Sequence, residues 1–201
     1  MEKIIALDAD GVLLDYHAAY RQAWAEAFNE LPSLKDRFAY WAMDRWDVRQ
    51  LSGDELRQFR ACFNEKFWST IPALPGAVSA CQQLVDAGYK LVCVSAIDTQ
   101  FKYARLQNLI SCQFPIDQVI ATSNDATSMS PKAQALQALK PIAFVDDFAP
   151  YLNGVSNEIH AALILGEPNG SPNVGDNLQW ADSQHTDLLA FSTWWLSEKH
   201  R

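Results

Sequence analysis

Cysteine is scarce in this chain and is never paired. Cys62, Cys81, Cys93 and Cys112 are scattered over 201 residues, and no Cys-x-x-Cys occurs. Zinc-ribbon and dithiol redox motifs are therefore unsupported. Basic clusters are also missing. Sixteen Lys and Arg stand against 24 Asp and Glu, a formal charge of −8, so nucleic acid and anionic membrane surfaces are not expected partners. No apolar stretch approaches the roughly 18 residues of a membrane span. Glu2 and Lys3 precede only the short run Ile4–Leu7 before Asp8, which is no signal peptide, so the expected home is the cytoplasm. Internal repeats and low-complexity tracts are absent too.

What is present is a large apolar fraction, 49% of residues. That is enough for a substantial core in one domain, or in one domain with a modest insertion. The most informative stretch is Ile4-Ile-Ala-Leu-Asp8-Ala-Asp10-Gly11. A short apolar run ending at Gly reads as a buried strand entering a turn. Alternation along such a strand puts Asp8 and Asp10 on one face, with Ala9 on the other. Two carboxylates that close repel unless a proton or cation lies between them, and Mg2+ prefers such hard oxygen ligands. A calcium-binding loop does not fit, because its glycine belongs at the sixth position and its Glu at the twelfth. Asp and Gly are also ordinary turn residues, so the motif needs company.

Company comes from three further places. Leu91–Val94 is an apolar run closed by Ser95. Val119–Thr122 is a third run, after which Ser130-Pro131-Lys132 opens a helical stretch. Ile142–Val145 is a fourth run, closed by Asp146-Asp147. Taken alone, Ser95 reads as a turn residue, Lys132 as a surface charge and the Asp pair as turn chemistry. Taken together, they put polar, phosphate- or metal-competent residues at successive strand ends. In open α/β sheets that is where the site lies. Ala161–Leu165 is a fifth apolar run, and 166–176, rich in Gly, Pro and Asn, reads as a loop.

The segment between Asp15 and Ala73 has helical spacing and no convincing strand. Tyr20, Trp24, Ala27, Phe28 and Leu31 form one apolar stripe, ended by Pro32. A second helix is expected over about 34–50. A third is expected from Ser52, where Ser52-Gly-Asp-Glu55 matches a capping box, through Leu56, Phe59, Phe63 and Phe67. Helices are also expected over about 77–87, with Gly88 as the stop, and over about 150–158. A terminal helix from Thr186 as N-cap to Lys199 would pack Trp194 and Trp195 on the sheet rather than on a second copy of the chain. Most tryptophans of the insertion read as packing residues, with one or two facing the cleft.

This ordered set resembles the haloacid dehalogenase superfamily. Asp8-Ala-Asp10-Gly11-Val-Leu-Leu-Asp15 is similar to its first motif, Ser95 to the second, Lys132 to the third and Asp146-Asp147 to the fourth. No acid stands four residues after Asp147, where some members have one; Tyr151 does. The resemblance implies an α/β fold, a Rossmann-like doubly wound parallel sheet. It implies a core of residues 1–14 and 73–201 and a helical cap domain, residues 15–72, inserted after the first strand.

The implied activity is that of a Mg2+-dependent phosphohydrolase acting on a small phosphorylated metabolite, in a monomer or homodimer. Asp8 would be the nucleophile that forms an aspartyl phosphate, and Asp10 the acid/base. Ser95 and Lys132 would hold the phosphoryl group, with backbone amides after Asp8 and Ser95 completing the cradle. Asp8, Asp146, Asp147 and the backbone carbonyl of Asp10 would serve the metal. A phosphomutase shares all four motifs and stays an alternative. A 2-haloacid dehalogenase needs neither metal nor Asp10. A non-catalytic phosphoryl-ligand-binding protein would be expected to lack the nucleophile or the lysine. Tyr16, His17, Arg45, Arg49 and Lys66 are candidates for substrate contact from the insertion.

Overall fold

The computed structural model describes residues 3–122 and 130–198. Six parallel strands form one sheet: β1 (Ile4–Leu7), β2 (Lys90–Ser95), β3 (Val119–Ala121), β4 (Ala143–Asp146), β5 (His160–Ile164) and β6 (Ser183–His185), in the order β3-β2-β1-β4-β5-β6. The central strands are apolar almost throughout because a parallel sheet is covered on both faces. Alternation then splits the core in two. Ile5, Leu7, Leu91, Cys93 and Val145 face one layer. Ala6, Val92, Val94, Phe144 and Leu163 face the other.

Helices α5 (Ala77–Asp86) and α8 (Leu188–Glu198) cover the first face, through Ala80, Leu84, Phe191 and Trp195. Helix α6 (Lys102–Ser111) adds Leu109 to that layer. Helix α7 (Ala133–Leu139) covers the second through Leu136. Chain order reverses direction at β1, which pairs with β2 on one side and β4 on the other. The carboxyl ends of these strands therefore border a crevice, the switch point at which open α/β sheets bind ligands.

Between β1 and α5 lie α1 (Tyr16–Phe28), α2 (Ala42–Arg45), α3 (Gly53–Ala61) and α4 (Glu65–Ser69). Asp15 caps α1 by accepting from the Ala18 amide at 2.9 Å. Its apolar stripe, with Tyr20 and Trp24, packs edge-on against Phe59 of α3.

Several expected elements differ. The helix expected over 34–50 is only α2. The rest is extended and bonds elsewhere, with Leu34 bridging Trp46 and Ala39 bridging Asn169. The helix expected from Ser52 to Phe67 breaks in two. Ser52 makes no side-chain cap bond, whereas Asn64 accepts from Lys66 and Phe67 and starts α4 afresh. The stretch 150–158 holds only a 3-10 turn, Ala149–Leu152, and Gly154 follows it at φ +83°. Strand β6 was not expected. Asp187, rather than Thr186, caps α8, accepting from the Ala190 amide at 2.7 Å; Lys199 to Arg201 lie outside the described residues.

Trp195 is 1% exposed and meets Tyr89 edge-on at 6.4 Å, so the core takes this ring. Trp195→Ala is expected to cost about 3–5 kcal/mol. Urea unfolding should show a lower midpoint at unchanged slope. A midpoint equal to wild type would refute this packing role.

Candidate active site

The site begins where β1 ends. Asp8 lies just beyond the strand, and its amide still donates to the Val145 carbonyl, 2.9 Å. The chain then turns: the amides of Leu13 and Leu14 both donate to the Ala9 carbonyl, 2.8 Å each. Regular strand pairing therefore stops at Leu7, and Asp8 and Asp10 both line the cleft that opens beyond it. Their carboxylates go to different partners. Gly11 makes the turn possible in two ways. Its φ is +81°, and a Cβ there would clash with the Asp147 carboxylate. Any side chain would both strain the backbone and displace that carboxylate.

Lys132, at the N-terminal edge of α7, is fully buried. Its Nζ lies 2.7 Å from Asp8 Oδ1 and 2.6 Å from Asp146 Oδ2. Burial pulls the ammonium pKa down, but the carboxylates of Asp146 and Asp8 outweigh it and hold it above the ordinary lysine value. Asp146 ends β4 and also accepts from the Phe148 amide at 2.9 Å. Among the described residues, no cation is paired with Asp147 in this way. Burial first, then the charges of Asp146 and Asp8, push its carboxyl far up. Tyr40 lines the cleft beside it, and burial first, then the Asp147 carboxylate, raise that phenol.

Carboxylate oxygens of Asp8, Asp146 and Asp147 lie within 4.8 Å of one another. One lysine for three carboxylates leaves negative charge uncompensated in a buried place. All the donors are hard oxygens, so the set fits Mg2+. The Asp10 carboxylate is outside this group. Arg105 Nη2 holds its Oδ2 at 2.7 Å. Burial raises the Asp10 pKa, with Arg105 pulling the other way. Ser95, at the end of β2 and 1% exposed, lines the same cleft as Asp8, Asp10 and Asp147. The structure thus brings together Asp8, Asp10, Ser95, Lys132, Asp146 and Asp147 at adjacent strand ends.

The cleft has a volume of about 420 Å³. Its floor is charged and its walls are aromatic: Tyr16, Tyr40, Trp41 and Trp68 from the helical segment, with Phe148 and Tyr151 after β4. Tyr40 stacks on Phe148 at 6.3 Å. His17 lines the cleft too. Burial, and then Arg45, press its pKa down to about 4. It is a neutral ring around pH 7. Arg45 itself pairs with Glu167 at 3.3 Å. Arg49 is held by Glu30 and Glu55 and Lys66 by Glu26, and neither lines the cleft.

Sequence reasoning missed Arg105 and Tyr40. Arg105 did leave a signal. The buried stripe of α6 is Ala104, Arg105, Asn108 and Leu109, a charge at helical spacing among core positions.

Residues 2–116 match the model of the family described as 5' nucleotidase, deoxy (pyrimidine), cytosolic type C protein. That span holds Asp8, Asp10, Ser95 and Arg105; Lys132 and the aspartate pair lie beyond it. A putative 5'(3')-deoxyribonucleotidase of Chlorobaculum tepidum is 30% identical over 89 residues, 44% of each chain. The mitochondrial 5'(3')-deoxyribonucleotidase of Mus musculus is 28% identical over 103 residues, 49% of this chain and 46% of that one. The match thus spans less than half the length of either curated relative. Among solved structures, a haloacid dehalogenase-like hydrolase from Streptococcus pneumoniae superposes with a TM-score of 0.65 at 19% identity, covering 96% of this chain and 98% of that one. The fold is therefore haloacid dehalogenase-like.

Lys132→Met would leave the two buried carboxylates of Asp8 and Asp146 without their cation. Removing one partner of a buried ion pair costs about 3–5 kcal/mol. A chemical unfolding series in EDTA should show a loss of that size. A loss confined to a few tenths would mean that Lys132 does not hold this charge cluster together.

Proposed function

Because the chain belongs to the 5' nucleotidase, deoxy (pyrimidine), cytosolic type C protein family, we propose that it is a Mg2+-dependent phosphatase that removes phosphate from a deoxyribonucleoside monophosphate. The observation that carries this is Asp8, which lines an aromatic cleft together with Ser95 and Asp147 and is paired from beneath with the buried Lys132 that also holds Asp146. Such a floor suits a phosphate ester, and aromatic walls suit a nucleobase, whose π-face stacks on any aromatic ring. The names of the curated relatives support the nucleotide. In this reading residues 1–14 and 73–201 form the core domain, and the helical segment 15–72 is a cap that shields the cleft from water.

Lys132 pins Asp8 by Oδ1, which leaves Oδ2 as the attacking oxygen. Asp8 forms a bond to phosphorus while the bond from phosphorus to the leaving oxygen breaks, giving an aspartyl phosphate. Asp10 gives its proton to the leaving oxygen, then takes one from the water that attacks phosphorus and frees Asp8. Ser95 and Lys132 donate to the non-bridging oxygens, where charge collects during transfer. Asp8, Asp146 and Asp147 would hold Mg2+, with the Asp10 carbonyl as a further ligand. When bound, the ion supplies a Lewis acid that screens the ester from the carboxylates.

Asp8→Asn is expected to end phosphate release while leaving thermal unfolding cooperative, and Asp10→Asn to lower kcat about 10²–10⁴-fold. EDTA should abolish release and Mg2+ restore it. Undiminished turnover by Asp8→Asn would overturn the nucleophile. Equal kcat/KM for sugar phosphates and deoxyribonucleotides would overturn the nucleotide reading and leave the phosphatase standing.

A further inference from the structure

Arg105 is among the largest side chains in the molecule with no exposed surface. It stands on α6, ten residues past Ser95 in sequence, and reaches the Asp10 carboxylate from behind the cleft. Its Nη2 lies 2.7 Å from Asp10 Oδ2. Its Nε and Nη1, and Asp10 Oδ1, have no hydrogen-bond partner among the described residues. The guanidinium lies 5.1 Å from the centroid of the Trp68 ring. Trp68 belongs to α4 and lines the cleft on its other side. Arg105 thus sits between an aromatic wall of the cleft and the carboxylate read above as the proton carrier, and it is the polar partner that carboxylate has.

A buried arginine is costly to desolvate and carries five donors. Here one carboxylate takes Nη2 and one ring face lies against the guanidinium, while Nε and Nη1 have no partner among the described residues. A planar fork stacked on an indole has little freedom, so the direction in which it offers Nη2 is fixed. Proton transfer to a leaving oxygen requires the acid within hydrogen-bond reach, and a displacement of about 1 Å can cost about 10²-fold in rate. We propose that Arg105 is a positioning residue for the hydrolytic reaction: it sets the orientation of the Asp10 carboxylate, with the Trp68 ring holding the guanidinium in place. The inference rests on the reading of Asp10 as acid/base.

The test compares two esters in saturating Mg2+ with the full chain. A deoxyribonucleoside 5'-monophosphate releases an alkoxide that needs a proton. p-Nitrophenyl phosphate releases a phenolate that leaves without one. In a single turnover, which reads the first step alone, Arg105→Met is expected to lower the rate of leaving-group release about 10²-fold on the nucleotide, and to lower it far less on the aryl ester. A structural role alone would lower both alike, and that result overturns the proposal.

Leaving the half-buried Asp10 unpaired can unfold the single variant, so Asp10→Asn is compared with Asp10→Asn/Arg105→Met, where no orphaned charge remains. If Arg105 acts through Asp10, the second change adds nothing to the loss in kcat. A further drop overturns the proposal even where the single variant cannot be purified. A wild type inert to both esters would instead sink the phosphatase reading, and the inference with it.

Discussion

The arrangement turns on one buried ammonium shared by two carboxylates. Lys132, Asp8 and Asp146 come from three separate places in the chain: the edge of α7, the end of β1 and the end of β4. Each ion alone would cost several kcal/mol to desolvate. Together they stand only because the sheet puts β1 beside β4 in a register that pairs Leu7 with Val145. The next residue on each strand is then an aspartate at the same edge. The two-faced apolar core and the charged floor are therefore linked. Slide β4 by one residue and the core faces exchange while Asp146 leaves Lys132.

The same constraint explains what remains uncompensated. Lys132 serves Asp8 and Asp146. Among the described residues, Asp147 is left with Tyr40 beside it and the field of two other acids. Gly11 leaves room for that carboxylate where any other residue would fill it. A fold that encloses an unpaired carboxylate beside two paired ones, at a switch point, is set up to take a cation. The neighbouring aspartate of the Asp-x-Asp pair is held by its own cation, Arg105, which is how two residues of one motif acquire different surroundings.

The sequence displayed the strands because parallel strands buried on both faces must be runs of apolar residues, and the site followed because its polar groups sit where those runs stop. β6 was not legible. Ser183-Gln184-His185 is polar, lies at the sheet edge and pairs on one side with β5, so nothing in its composition demands burial. The stretch 34–50 misled for a different reason. Its local pattern is compatible with a helix, yet its backbone bonds to a loop about 130 residues away: Tyr40 to the Asn169 carbonyl at 2.9 Å, and Asn169 to the Phe38 carbonyl at 3.0 Å. Those pairings override propensity.

These long-range bonds also divide the cleft into parts of unequal firmness. The floor is set by ion pairs between fully buried groups, and shifting any one of them orphans a charge. The wall formed by Tyr40 and Trp41 is tied to the core loop by the two backbone bonds just named, by Trp41 Nε1 to the Gly170 carbonyl at 3.0 Å, and by the half-exposed Arg45–Glu167 pair. Each such bond contributes about 0.5–1.5 kcal/mol, and a pair that open to solvent no more than about 1. Local stability follows burial, so the wall opens at far lower cost than the floor. On the proposed function, chemistry common to phosphate esters belongs to the floor. Recognition of what the phosphate is attached to would then fall to aromatic side chains whose placement depends on contacts that are individually weak. This is also why that placement was the part of the site least visible in the order of the residues.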